Sequence, residues 1–203
     1  LAAGVAHEIN NPLSYVLLSL RQLERAGELP GSARTALANA LDGASRIQQI
    51  AQELRSYCGP DGHGPPEPVE VAKAATSAIN IAQNEIRHRA RLERRLEDEL
   101  HVLAREGQLV QVLVNLLSNA EKYAGERKEI AVQMAVGDGA VEVQVLDRGM
   151  GVPRGCEDRI FEQFFRAHDS LSSGIQGSGL GLTLARQIAR AHGGDVKFRA
   201  RDG

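Results

Sequence analysis

Apolar side chains recur through the first two dozen positions at Val5, Ile9, Leu13, Val16, Leu20 and Leu23, at spacings of four, four, three, four and three. At about 100° per residue these fall on one stripe of a helix. The pattern is already running at Leu1, so the helix is expected to begin upstream and to continue to about Glu28. Gly27, Pro30 and Gly31 then supply turn chemistry, and Ser32 is placed to cap a second helix. A second stripe comprises Leu37, Leu41, Ala44, Ala51 and Leu54, with Ile47 beside them, and reaches Tyr57. The two helices form an antiparallel hairpin, which cannot enclose a core alone. Two copies joined as a four-helix bundle bury both stripes, so a homodimer is expected. The alternative is packing of the hairpin on its own downstream domain.

From Gly59 to Pro68 the chain is dense in glycine and proline and cannot continue a helix. The organisation expected is therefore a helical domain at 1–58, a linker at 59–68 and a second domain at 69–203. In that second domain Val69 to Val71 reads as a short strand, followed by a helix to about Ile86 and a charged, alternating stretch from Arg91 to Glu99. Val102 and Leu103 suggest another short strand. Leu109, Val112, Leu113, Leu116, Leu117 and Ala120 give a clear helix over Glu106 to Tyr123. The period then changes to two, with strands at Ile130 to Val136 and Val141 to Leu146 across a Gly137-Asp138-Gly139 hairpin turn. A helix from Leu180 to Ala191 and a strand near Val196 to Phe198 complete an α+β layer domain.

Composition narrows the options. The 203 residues are 42% hydrophobic and 25% charged, enough for two small cores. A formal charge of −2 gives no electrostatic reason to expect nucleic acid. No apolar run approaches the ~20 residues that span a bilayer, so no membrane contact is expected within this chain and any anchor would lie upstream. Cys58 and Cys156, the two cysteines, make neither a disulfide framework nor a thiolate metal site, which suits a reducing cytoplasm.

His7 lies opposite the first apolar stripe, with Glu8 adjacent and Asn11 one turn further along the same exposed face. A nucleophile beside a base is the chemical reading, and an ordinary surface histidine is the plain one. The run also approaches the His-Glu-x-x-His zinc pattern, but Asn11 replaces the second imidazole, which disfavours zinc. Pro12 removes one backbone bond just after the histidine, so a bend is expected there.

A second set of polar residues lies more than a hundred positions later. Asn115 and Asn119 are four apart on one helix face, with Lys122 close behind. Amide oxygens are hard ligands suited to magnesium once phosphates supply the negative charge. The strand ending at Leu146 runs into Asp147-Arg148-Gly149-Met150-Gly151, where a carboxylate can accept from an exocyclic amine and glycines admit a planar ring. Between Val152 and Gln176 there is little regular pattern, yet Phe161, Phe164 and Phe165 sit there at spacings that make a small apolar face. So long a connection suggests a cover over a ligand. It ends at Gly177-Ser178-Gly179-Leu180-Gly181-Leu182, directly before a helix, where amides and the helix terminus favour anions. That spacing fits neither a Rossmann fingerprint nor a P-loop.

Taken in order, these elements resemble the catalytic core of bacterial sensor histidine kinases, over nearly the whole chain. Leu1 to Leu13 is similar to that family's phosphoacceptor box, which implies His7 as the phosphorylated residue. Gln111 to Tyr123 is similar to its asparagine box. By this resemblance Asn119 would hold Mg2+, Asn115 and Lys122 would lie near the phosphates, and Tyr123 near the nucleotide. Asp147, Gly149 and Gly151 match the adenine-binding box, Phe161 to Phe165 the aromatic lid box, and Gly177, Gly179, Leu180 and Gly181 the second glycine box. The implied fold is a Bergerat-type α/β sandwich that binds ATP. Two departures stand out. Glu121 occupies a commonly apolar position, and the chain stops at Arg201-Asp202-Gly203, before the usual terminal strand.

The resemblance implies autophosphorylation of His7, with Glu8 as base or hydrogen-bond partner of the imidazole, then transfer to an aspartate on a response regulator receiver domain. Asn11 is placed to position water for the reverse, phosphatase reaction. A clamp ATPase of the same nucleotide fold would not need the His7 helix, and a non-enzymatic scaffold would not need Asn119 and Asp147.

Overall fold

The computed structural model describes residues 2–25, 29–58, 64–86, 90–97, 99–125, 129–137, 139–167 and 178–201, and for 2–8, 10, 11, 42, 45, 46, 48–58 and 84–86 only the backbone. The chain divides into two compact units, the first holding the two N-terminal helices and the second the remaining elements.

In the first unit α1 spans Ala2–Arg25, with Pro12 inside it, and α2 spans Gly31–Cys58. Ser32 does not cap α2. The helix starts one residue earlier, and the amide of Arg34 donates to the Pro30 carbonyl. Leu13 and Leu17 of α1 are buried in one cluster with Ala44 of α2, with Leu20 and Leu41 packed alongside, and the short connection between the helix ends makes the pair a hairpin. The face buried within one chain is therefore centred on Leu13, Leu17 and Leu20. Ile9, Val16 and Leu23, which sequence periodicity put on the same stripe, are 38%, 49% and 51% exposed.

The second unit is a two-layer α+β arrangement. Strand β1 (Glu67–Glu70) pairs antiparallel with β3 (His101–Ala104), and α3 (Val71–Ile86) follows β1 directly. Val71, read from the sequence as strand, opens the helix instead. A second sheet has the order β2 (Arg91–Arg95), β4 (Glu129–Gly137), β5 (Ala140–Asp147), with β2 parallel and β5 antiparallel to β4. The β4–β5 turn pairs Gly137 with Ala140, and Gly139 has φ +75°, a conformation that suits glycine. Ile130, Val132 and Met134 alternate along β4 toward the core. There Ile130 and Val132 meet Ala75, Ala78, Ile79 and Ala82 of α3 and Leu113, Leu117 and Ala120 of α4 (Glu106–Tyr123). Burying side chains such as Leu117 and Ile79 is worth about 1.5–3 kcal/mol each. The last helix, α5, spans Gly181–Ala191.

Two readings are corrected by this fold. Residues 196–198 form no strand: the amide of Val196 donates to the Asp195 carboxylate, and β5 has only β4 as a ladder partner among the described residues. A strand needs a ladder, and apolar alternation alone does not supply one. The three phenylalanines do not share one face either. Arg159–Phe161 is a single 3-10 turn, and Phe164 has φ +63° and is 64% exposed, while Phe161 and Phe165 are half-buried.

Candidate functional site

Helix α4 has an apolar face on the sheet, and its Asn115 and Asn119, four residues apart, are half-buried. Asn115 Oδ1 accepts from Gln111 Nε2 at 3.1 Å, and its Nδ2 donates to the carbonyl of Gly181 at 3.2 Å. This network orients the amide. A Cβ at Gly181 would lie 3.9 Å from both Asn115 Cγ and Asn119 Nδ2, so the glycine backbone passes close over the asparagine face.

At the far end of α4, Tyr123 receives the β5 exit. The Met150 amide donates to the Tyr123 carbonyl at 3.2 Å. The Gly149 amide donates to Asp147 Oδ1 at 2.8 Å, a local turn that points the chain back over the helix. Asp147 is half-buried, and the Gly149 amide engages only one of its two carboxylate oxygens, Oδ1. Gly151 has φ +68°, which favours glycine. Lys122 stands in the last turn of α4 and is half-buried.

The glycine segment enters α5 with Leu180 at the cap position and no side-chain cap hydrogen bond. The first amides of such a terminus, together with the helix dipole, favour an anion. Gly179 has φ +76°, and a Cβ there would come within 2.8–3.0 Å of the backbone of Phe164 and Phe165. The structure thus brings Asn115, Asn119, Gly179, Leu180 and Gly181 together, with Asp147, Gly149 and Tyr123 meeting at the C-terminal end of the same helix α4. Gly177 lies outside the described residues. His7, Glu8 and Asn11 fall within α1 by backbone, and their side chains lie outside what is described.

Sequence reasoning did not single out Thr183, Arg186 and Asp195. Arg186 binds Asp195 through Nε and Nη2, at 2.8 and 3.1 Å, and Arg190 Nε joins the same carboxylate at 3.1 Å. The Arg186 hydrogen bond, helped by Arg190 and the Val196 amide against the opposing effect of burial, holds the Asp195 carboxyl well below the usual carboxylate range. The four-residue spacing of the two arginines was the available signal. Two clefts of about 250 and 270 Å³ share Asp158, Phe161 and Arg186, and neither is lined by the asparagines or glycines above. Among the described residues no group of three or more His, Cys, Asp or Glu side chains is placed to hold a metal ion.

Residues 1–57 match the His Kinase A (phospho-acceptor) domain, and residues 104–203 match the family described as histidine kinase-, DNA gyrase B- and HSP90-like ATPase. The chain is 28% identical over 205 residues to the sensor histidine kinase ZraS of Escherichia coli, covering 100% of this chain and 43% of that protein. It is 25% identical over 211 residues to the sensor-like histidine kinase SenX3 of Mycolicibacterium smegmatis, covering 99% and 53%. The chain thus spans about half the length, or less, of these curated relatives. Full-length ShkA, solved in complex with AMPPNP, superposes with a TM-score of 0.64 at 25% identity, over 95% of this chain and 41% of that one. The mycobacterial sensor histidine kinase MprB superposes with a TM-score of 0.56 at 26% identity, over 63% and 80%.

Proposed function

Because the chain belongs to the sensor histidine kinase family, we propose that it phosphorylates its own His7 from ATP and passes the phosphoryl group to an aspartate of a response regulator. The observation that carries this reading is the hydrogen bond from Asn115 to Gly181, which ties the asparagine face of α4 to the anion-favouring start of α5. An asparagine pair facing main chain at the start of a helix suits a nucleotide's phosphates.

In this reading Asp147 accepts from the adenine amine, Gly149 and Gly151 leave room for the ring, and Tyr123 closes that side. Magnesium would be supplied with the nucleotide, its charge balanced by the phosphates. Asn119 would hold the ion through its amide oxygen, and Lys122 would offset phosphate charge. The amides of Gly177, Gly179, Leu180 and Gly181 cradle the phosphates. In the chemical step a ring nitrogen of His7 attacks the γ-phosphorus. An N–P bond forms as the bond to the β,γ-bridging oxygen breaks, ADP leaves, and Glu8 takes the imidazole proton. The charge of the transferring group is spread rather than created, so positioning is the main catalytic task. Asn11 orients water for the reverse hydrolysis.

The domains we propose are 1–58, 59–68 as linker and 69–203, with the first dimerising as a four-helix bundle. Among the described residues no helix is long and apolar enough to cross a membrane.

The test is incubation with γ-labelled ATP and magnesium. The expected label is acid-labile, base-stable and absent from His7→Gln. Wild type that takes up no label, or His7→Gln that takes up as much, overturns the reading.

A further inference from the structure

Three threonines of this chain show what a helical hydroxyl ordinarily does and what one of them does instead. Thr35 donates to the Gly31 carbonyl and Thr76 to the Ala72 carbonyl, each four residues back within its own helix. Thr183, in the first turn of α5, is 7% exposed and donates instead to the carbonyl of Phe161, 22 residues away, at 2.9 Å. One turn further along α5 the guanidinium of Arg186 lies over the Phe161 ring, 4.5 Å from its centre, while Asp195 grips its other edge. The next residues are tied to the glycine segment, because the Phe164 amide donates to the Gly179 carbonyl at 3.1 Å. Arg159 covers the Phe165 ring at 4.2 Å.

We propose that Thr183 and Arg186 are positioning residues that lock the Phe161–Phe165 turn into the frame of the glycine segment, so that the connection leaving this turn starts from a fixed place beside the phosphates. The inference rests on the reading of the Gly179–Gly181 segment as a phosphate site. Both ends of the turn are fixed to the start of α5, Phe161 through Thr183 and Arg186 and Phe164 through Gly179. A ligand that moves the glycine segment moves the turn with it. The hydroxyl acts on the reaction through the turn and touches no reacting atom.

The variants are Thr183→Val, which keeps the shape and removes the donor, and Thr183→Ser, which keeps the donor. Thr183→Val should lower the autophosphorylation rate at saturating ATP about tenfold, the scale of a small misplacement of reacting groups, and leave the Kd for ADP within about twofold. Hydrogen exchange at the Phe164 amide should accelerate in the nucleotide-free Val variant, while the amides of α4 exchange as before. Thr183→Ser should restore both rate and protection. Thr183→Val that phosphorylates and exchanges like wild type overturns the proposal. So does a parallel loss of rate, ADP affinity and melting temperature in both variants, which marks a merely structural role. Failure of the wild type to take up label is a failure of the kinase reading itself, visible before any variant is made, and the Phe164 exchange result still reports on the anchor.

Discussion

Gly149 stands directly against Tyr123: a Cβ built on the glycine would lie 1.8 Å from the Tyr123 carbonyl oxygen and 2.6 Å from its carbonyl carbon. Both obstacles are backbone, so neither can turn aside. The exit of β5 and the end of α4 are thereby pressed together, and the position of Asp147 is set by main chain rather than by side chains.

Gly149→Ala should therefore separate these two segments. We expect at least a tenfold loss of ATP affinity by titration calorimetry, with destabilisation of about 1–3 kcal/mol, as for other overpacked sites. Gly151→Ala meets no atom within 4 Å and is strained only by its φ of +68°, so it should cost about 1–2 kcal/mol and far less affinity. Equal effects of the two substitutions would contradict the close contact.

Asp147→Asn keeps an oxygen for the Gly149 amide but turns half of the carboxylate into a donor. The melting temperature should change little and ATP affinity should fall at least tenfold, because a donor then faces a donor. Binding of a fluorescent ATP analogue checks this, and unaltered affinity removes the adenine assignment.

Ile9, Val16 and Leu23 are spaced by seven and exposed in the single chain, the pattern of a seam between helices. Val16→Glu with Leu23→Glu should convert a dimer to a monomer in sedimentation velocity, with Leu13 and Leu17 still buried within each hairpin. A wild type that sediments as a monomer at tens of micromolar refutes the dimer.

Asp195 ties Arg186 and Arg190 to the last described segment. Its pKa is depressed in the folded state, so its contribution is complete above the ordinary carboxylate value of 3.8 and is lost as pH falls through the lower folded value. At pH 7 Asp195→Asn should lower the melting temperature by about 2–4 °C, the effect of a partly exposed ion pair of ~1 kcal/mol. Below pH 3.8 the gap between the variant and wild type should narrow. A gap that widens with acid reverses the sign and excludes the ion pair as its cause.

Where one local pattern dominated, the fold could be read directly. Helix α4 runs over Glu106–Tyr123, as its periodicity indicates, and β4 and β5 meet across the glycine turn. The readings that failed each depended on a distant partner or on a backbone bond that side-chain pattern does not reveal. Val196 to Phe198 alternates like a strand, but a side-chain bond from Asp195 takes the Val196 amide. Ser32 has the chemistry of a cap, but the helix already begins at Gly31, with the Pro30 carbonyl taking the first helical hydrogen bond, so Ser32 lies inside the first turn. The phenylalanine spacing suggests one small apolar face, which the left-handed Phe164 breaks up. At the candidate site the motif residues were legible because glycine and asparagine are unusual on a helix approach. Thr183 was not, since only its 22-residue reach to Phe161 distinguishes it from Thr35 and Thr76.

His192, just past α5, gives one further consequence. Its Nδ1 is 2.8 Å from the Ile188 carbonyl and its Nε2 accepts the amide of Arg105 at 3.2 Å, the residue before α4. At the other end of α5, Gly181 accepts from Asn115. The two ties are 11 residues apart along α5 and 10 along α4, counting from the bonded residues, so at 1.5 Å per residue the spans are about 16 and 15 Å. Helix α5 is a rail bolted at both ends to a span of α4 of nearly equal length. A single residue inserted into or deleted from α5 would rotate one bolt by about 100° and shift it by about 1.5 Å. The register of the glycine segment over the asparagines is thus encoded as a length, and that length tolerates substitution far better than it tolerates a change in count.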